Sequence, residues 1–425
     1  MATTISAPGV YVEEVLSGGA PIAGVGTSTA GFIGVIPATT TNDKSKEKQS
    51  ESPPPEGQDK APKPNAANLA KASESTPPKS QDKTPKPDDK DLAKVGEVKM
   101  CTNFTEFKKS FGDFSSVKGQ NTLAHAVYGF FRNGGTRCYV TFVNEEADIQ
   151  TALDQFEAID EIAIVAAPGV TDEGALGAID IHCRTTTKDR VAILDAPETV
   201  TDFSTLKPGE KGMIGTSNYA ALYFPWIAVF DPASKAEKFV PPSGHIAGIY
   251  ARVDSQRGVF KAPANEPILG AVGLKYNISK SKQEILNPQG VNCIRNLNGN
   301  IRVWGARTWG GSANNDFTYI NVRRLMNYLR ESIDEGTQWS VFEPNSPELW
   351  AKIRRNVTAF LMTVWRSGAL FGNTPEEAFY VKCDEETNPP ETRAIGQVVT
   401  EIGVAPVRPA EFVIFRLSQI QESSK

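Results

Sequence analysis

Between residues 101 and 259 short apolar runs alternate with segments of helical length, and that alternation limits the chain to few architectures. Arg137-Cys-Tyr-Val-Thr-Phe-Val143, Ile162-Ala-Ile-Val-Ala166 and Arg190-Val-Ala-Ile-Leu194 are strand-like. Residues 123–131, 147–159 and 172–186 carry helical patterns, and Asn133-Gly-Gly135 and Pro168-Gly169 punctuate them. Strands this short and apolar are covered on both faces, which predicts a mainly parallel sheet flanked by helices. Phe32-Ile-Gly-Val-Ile36 reads as a buried strand upstream, and residues 219–229 as one further strand-like run.

From residue 41 to 96 the composition changes. Lys, Ser, Pro, Asp and Glu dominate, Pro53-Pro54-Pro55 and Pro77-Pro78 stand in the run, and there is no aromatic residue. Such a segment buries too little apolar surface to offset its ordering entropy, so a disordered surface insertion in a loop of the folded domain is expected. Long loops are tolerated because closure entropy grows slowly with length.

After residues 261–267 the pattern predicts a second, α+β unit. Val322, Leu325, Met326, Leu329 and Ile333 recur at helical spacing over residues 317–333, with Arg323, Arg324 and Arg330 on the other face. Ser346 and Pro347 open another helix, as cap and first helical residue. Three strands are expected at 378–383, 397–404 and 411–420. The last is β-branched and aromatic with no Gly or Pro inside it, reached through Pro406 and Pro409. A chain closing on a two-sided apolar strand must tuck it into its own sheet or lend it to another molecule.

The net charge of −5 and the lack of a basic, aromatic-laced stripe argue against nucleic acid as a partner. No uninterrupted apolar run reaches the ~18 residues of a membrane span. The N-terminal residues lack a signal peptide's charged start and apolar block, so cytoplasmic assembly is expected. Five scattered cysteines without Cys-x-x-Cys spacing signal neither a metal site nor a disulfide framework. Ser243, His245 and Asp254 could be assembled on paper into a hydrolytic triad, but Ser243 reads more simply as a helix cap, and no Gly-x-Ser-x-Gly elbow exists. Gly24-Val-Gly26 lacks the third glycine of a dinucleotide fingerprint, and there is no phosphate loop. No catalytic residue, cofactor or metal is assigned; a hydrolase on the α/β region is the alternative function. The paired arginines Arg323-Arg324 and Arg354-Arg355 suit a solvated helix face or an acidic partner surface.

In order, these segments resemble the tail sheath proteins of contractile phage tails and injection systems. The resemblance rests on Ser6-Ala-Pro-Gly-Val-Tyr-Val-Glu-Glu14, Pro241-Pro-Ser-Gly-His-Ile-Ala-Gly-Ile-Tyr-Ala-Arg252 and Arg257-Gly-Val-Phe-Lys-Ala-Pro-Ala-Asn265. It continues in Asn287-Pro-Gln-Gly-Val-Asn-Cys-Ile294, Val303-Trp-Gly-Ala-Arg-Thr308 and Ile402-Gly-Val-Ala-Pro-Val-Arg-Pro-Ala-Glu-Phe-Val-Ile-Phe415. The resemblance implies a structural subunit, not an enzyme. It would stack in hexameric rings around an inner tube protein, with baseplate and terminal cap proteins as further partners, and contract from a metastable extended state. It implies a linking arm over residues 1–24, an outer α/β domain over 25–260, an inner α+β domain over 261–405 and a linking strand over 406–425. Val10, Tyr11, Val12 and Val15, with Phe412, Ile414, Phe415 and Leu417, would be donated as strands to neighbouring subunits. Phe379, Val381, Val398, Val399 and Ile402 would line the accepting strands, completing a small C-terminal sheet. Gly18, Gly19 and the approach near Gly403 would absorb the backbone change on contraction. Arg323, Arg324 and Arg330 would face the tube.

Overall fold

A computed structural model describes residues 21–38 and 92–414. In chain order its first strands are β1 (Ala30–Val35), β2 (Lys99–Cys101), β3 (Cys138–Val143), β4 (Ile164–Ala166) and β5 (Val191–Asp195). Then follow β6 (Ala220–Phe224), β7 (Ile227–Asp231), β8 (Ala236–Val240), β9 (Glu266–Pro267) and β10 (Ala271–Leu274). The last are β11 (Val291–Leu297), β12 (Asn300–Val303), β13 (Phe379–Lys382) and β14 (Glu401–Val404). Nine strands form one sheet in the order β2-β3-β1-β4-β5-β6-β11-β12-β9. Every pairing from β3 to β11 is parallel, and the edge pairings of β2, β12 and β9 are antiparallel.

The expected two-sided burial is present. Alternate residues of one strand feed opposite cores: Ile193 joins one, Ala192 and Leu194 the other. Helices α1 (Phe104–Phe111), α2 (Lys118–Arg132), α3 (Ile149–Glu157), α4 (Glu173–Ile181) and α5 (Ser243–Arg257) supply the cover. Leu123, Val127 and Phe130 of α2 and Ile246, Ile249 and Val253 of α5 pack with Phe32 and Ile193 on one face. Leu153 and Phe156 of α3 and Leu176 and Ile179 of α4 pack with Ile33 and Leu194 on the other. Glycines let α2 and α5 touch backbone to backbone, since a Cβ on Gly244 would lie 2.3 Å from the Ala126 carbonyl oxygen.

Four sequence expectations are corrected here. Residues 219–229 are two strands, because Pro225 carries no N–H for a ladder; β6 stays in the large sheet while β7 pairs with β8 and β10 in a three-stranded sheet. The sheet domain does not stop at 260. After the short helix α6 (Lys280–Leu286), β11 and β12 still belong to the large sheet, and Trp309 lies in its core. Residues 41–91 of the insertion lie outside the described residues, but its last five do not belong to it. Ala93 N–H donates to Ser110 O and Gly96 N–H to Phe142 O, so the chain is already docked at residue 93. Finally Ser243 is not itself the cap of α5, as the site geometry shows below.

The second unit packs α7 (Ile320–Thr337) and α8 (Pro347–Arg366) under the two-stranded sheet β13–β14. Ser346 Oγ accepts the Leu349 N–H and Pro347 opens α8, as expected. Leu325, Leu329, Ile353, Val357, Phe360 and Leu361 form its core, with Phe379 of β13. The strand expected over 397–404 is only Glu401–Val404: Val398 and Val399 precede it, because Asn388 occupies the Val399 N–H and carbonyl with its side-chain amide. No helix of the described residues is long and apolar enough to cross a membrane.

A candidate linking site where the two chain ends leave the body

Before it enters β1, the N-terminal lead runs along α7. Ile22 sits against Gly336, Val25 N–H donates to Ser332 Oγ at 3.1 Å, and Thr27 reaches the level of Arg324. There Asp254, from α5, accepts the Thr27 hydroxyl at 2.6 Å and both terminal nitrogens of Arg324 at 2.9 and 2.5 Å. A third Arg324 bond goes to the Thr27 carbonyl at 3.0 Å, and its guanidinium lies 4.6 Å from the Tyr250 ring. Both charges are buried, so this fork fastens sheet domain, second unit and N-terminal lead together. Val10, Tyr11, Val12, Val15, Gly18 and Gly19 lie outside the described residues.

This geometry corrects the tube-facing set. Arg323 is buried too, between the Tyr219 and Phe317 rings at 4.5 and 4.2 Å, with its Nε on Asn327 Oδ1. The apolar periodicity of α7 locates its Leu-rich face, but the opposite face packs on the sheet domain rather than water. Of the three arginines only Arg330 is exposed. On α8, Arg354 and Arg355 are exposed and line a shallow groove with Ala359, Met362 and Val381, beside β13.

The small sheet has the register Phe379↔Val404, Tyr380↔Gly403, Val381↔Ile402 and Lys382↔Glu401. Among the described residues neither outer edge is paired to a further strand. Phe379, Val381 and Ile402 therefore stand in strands as expected, and Val398 and Val399 do not. Gly403 is no free joint: it lies in β14 beneath the Tyr380 ring, where a Cβ would come within 2.1 Å of a ring carbon.

Beyond β14 the chain is guided away. Ala405 O accepts from Phe371 N–H, Val407 N–H donates to Ala369 O, and Arg408 pairs with Asp316 at 2.9 Å. The largely buried Glu411 then meets four donors from the sheet-domain side. Arg307 Nε and Nη2 bond it at 2.9 and 2.7 Å, Asn287 Nδ2 at 2.7 Å and Tyr319 Oη at 2.8 Å. Burial alone would raise the carboxyl pKa, but these donors outweigh it and hold it below the ordinary value. Phe412, Val413 and Ile414 follow immediately, 70%, 69% and 80% exposed and in no strand of their own chain. Phe415 and Leu417 lie outside the described residues. The sequence reading missed Glu411 as an anchor, along with Arg307, Asp254 and Thr27; Arg307 and Glu411 do stand in two of the segments that carry the family resemblance.

The enzyme-like features come apart. Asp195, at the carboxyl end of β5, accepts Ser243 N–H at 2.9 Å, Ser243 Oγ at 2.6 Å and Gly169 N–H at 3.1 Å. It is Asp195 that caps α5, and burial raises its pKa to about 6 against those three bonds. His245 Nδ1 has no partner, and burial, with charge from His125 and Arg132, pushes its pKa down to about 3, too low for a general base near neutrality. Asp254 belongs to Arg324 and Thr27. The strand order puts the switch between β1 and β4, where doubly wound sheets bind ligands. Gly119 of α2 lies tightly against the end of β1 there; a Cβ on it would lie 2.1 Å from the Val35 carbonyl oxygen.

The architecture is thus a doubly wound α/β domain followed by an α+β unit with an open small sheet. Residues 143–309 match the phage tail sheath protein central domain and residues 312–420 the phage tail sheath C-terminal domain. The chain belongs to the phage tail sheath family. The step between the two matches falls where the large sheet ends and α7 begins, not near 260.

The tail sheath protein of Burkholderia phage BcepMu is 27% identical over 251 residues, 56% of this chain and 50% of that protein. A putative prophage major tail sheath protein of Pseudomonas aeruginosa is 25% identical over 233 residues, 53% of this chain and 57% of that protein. The chain thus spans about half the length of these relatives. Among solved structures, the helical sheath of the anti-feeding prophage in its contracted state superposes with a TM-score of 0.70 at 27% identity, covering 98% of this chain and 100% of that one. The sheath complex of an extracellular contractile injection system in its contracted state gives 0.70 at 25%, covering 98% and 99%.

Proposed function

We propose that this chain is a force-bearing sheath subunit that polymerises around an inner tube in a metastable extended state and contracts to drive the tube through a target envelope. The observation that carries the reading is a pairing of unfinished parts: an exposed apolar Phe412–Val413–Ile414 leaving the body, and a two-stranded sheet with open edges. The small sheet is held on α8 but keeps unpaired edges, and a donated strand would pair an edge by backbone hydrogen bonds. In the assembly, residues 412–420 of one copy, and residues 10–15 of another, add to β13 or β14 of a neighbour.

The subunits stack as hexameric rings between a baseplate and a terminal cap. The inner domain presents Arg330, Arg354 and Arg355 to the tube; Arg323 and Arg324 are withdrawn from that role because they are fully engaged inside the chain. The two body domains, fastened by Arg324 and Asp254, move as one rigid piece during contraction. The subunit is structural rather than catalytic, and contraction draws on the packing of the extended state, not on a nucleotide.

Truncation after Glu411 tests the reading, because it keeps the anchor and removes the strand. The expected result is a folded monomer with wild-type melting that no longer forms striated cylinders in negative stain. Cylinders of normal length from the truncated chain would overturn it.

A further inference from the structure

Glu411 receives four donor atoms from three residues, Arg307, Asn287 and Tyr319. A terminal strand needs a docking face, yet here the polar grip stops at the residue before the apolar run, and the run itself is left bare. The donors come from the end of α6, from the segment after β12 and from the entry to α7, which are parts of the sheet domain and its junction. The small sheet lies instead on α8. Holding residue 411 on that junction fixes the start of the apolar run against the sheet-domain side rather than against the small sheet.

We infer that Glu411 is the positioning residue of the linking strand: gripped by Arg307, Asn287 and Tyr319, it aims residues 412–420 outward to a second copy and forbids pairing within the chain. The inference rests on the sheath reading above and adds the element that selects between pairing with self and pairing with a neighbour. Arg307 suits the task because its planar fork fixes the direction of the carboxylate as well as its place. Asn287 and Tyr319 close the remaining lone pairs, so the carboxylate has one orientation.

The test compares full-length wild type, Glu411→Ala and Glu411→Gln for assembled fraction by sedimentation and for amide exchange in residues 412–420 of the unassembled protein. Glu411→Ala leaves the buried Arg307 without its carboxylate and is expected to lower the melting temperature, so assembly of the variants is compared at a temperature where each is folded. Its assembled fraction at fixed concentration should fall about tenfold, the scale of one charge-assisted grip lost from each link. Glu411→Gln, which keeps one acceptor, falls in between. In the monomer, the Ala variant should gain exchange protection at 412–420 as the strand folds back. Equal assembly of Glu411→Ala and wild type would overturn the inference, as would an Ala variant that simply unfolds while the Gln variant assembles normally. If wild type itself forms no cylinders, it is the sheath reading that fails.

Discussion

Asp254 sits where three parts of the molecule meet, and its one carboxylate serves Thr27 and Arg324 together. Removing it leaves a guanidinium buried with no counter-charge. Asp254→Ala is therefore expected to destabilise the protein by about 3–5 kcal/mol in urea unfolding. Replacing both partners, as Asp254→Leu with Arg324→Met, should cost much less than Asp254→Ala alone, because no orphaned charge remains. Equal loss in the single and double variants would mean that the fork holds by packing rather than by charge. This residue is silent in the sequence. Asp254 stands in a helix among polar neighbours, and nothing local marks it as the partner of an arginine 70 residues on. The Arg307–Glu411 grip, 104 residues apart, is hidden for the same reason.

At the scale of elements, close helix approach governs what the chain tolerates. A Cβ on Gly244 would meet Ala126 backbone at 2.3–2.6 Å and one on Gly248 would meet the Phe130 carbonyl oxygen at 2.4 Å, whereas Gly177 of α4 has nothing within 4 Å. The same substitution then has opposite signs. Gly244→Ala should lower stability by about 3 kcal/mol by forcing α2 and α5 apart. Gly177→Ala should raise it by up to about 1 kcal/mol through helix propensity. Thermal melts of the two variants measure both. Elements with local signatures are legible in the sequence: α8 from Ser346 and Pro347, and β4 and β5 from unbroken apolar runs. What is not legible depends on partners. Periodicity in α7 separates its two faces but cannot tell whether the polar one meets water or another domain, and the sheet domain answers that for Arg323 and Arg324. Likewise β11 and β12 follow a connecting stretch that looks like a boundary, and only tertiary pairing assigns them to the first sheet.

For the whole molecule, the leads at residues 21–29 and 405–414 are the described parts nearest the two proposed arms. The Arg324–Asp254 fork holds the N-terminal lead at Thr27, and Arg307 holds the C-terminal lead at Glu411; under the proposed contraction any re-aiming would fall beyond these anchors. That moves the expected joint away from Gly403, which is packed under Tyr380. The central claim is that the C-terminal strand is shared between copies, and a reconstruction of the assembled cylinder that traces residues 405–420 tests it most directly. The account predicts Glu411 seated on Arg307 of its own chain and residues 412–420 hydrogen-bonded along the β13 or β14 edge of a neighbour. Residues 412–420 folded onto the β13–β14 sheet of their own copy would contradict it.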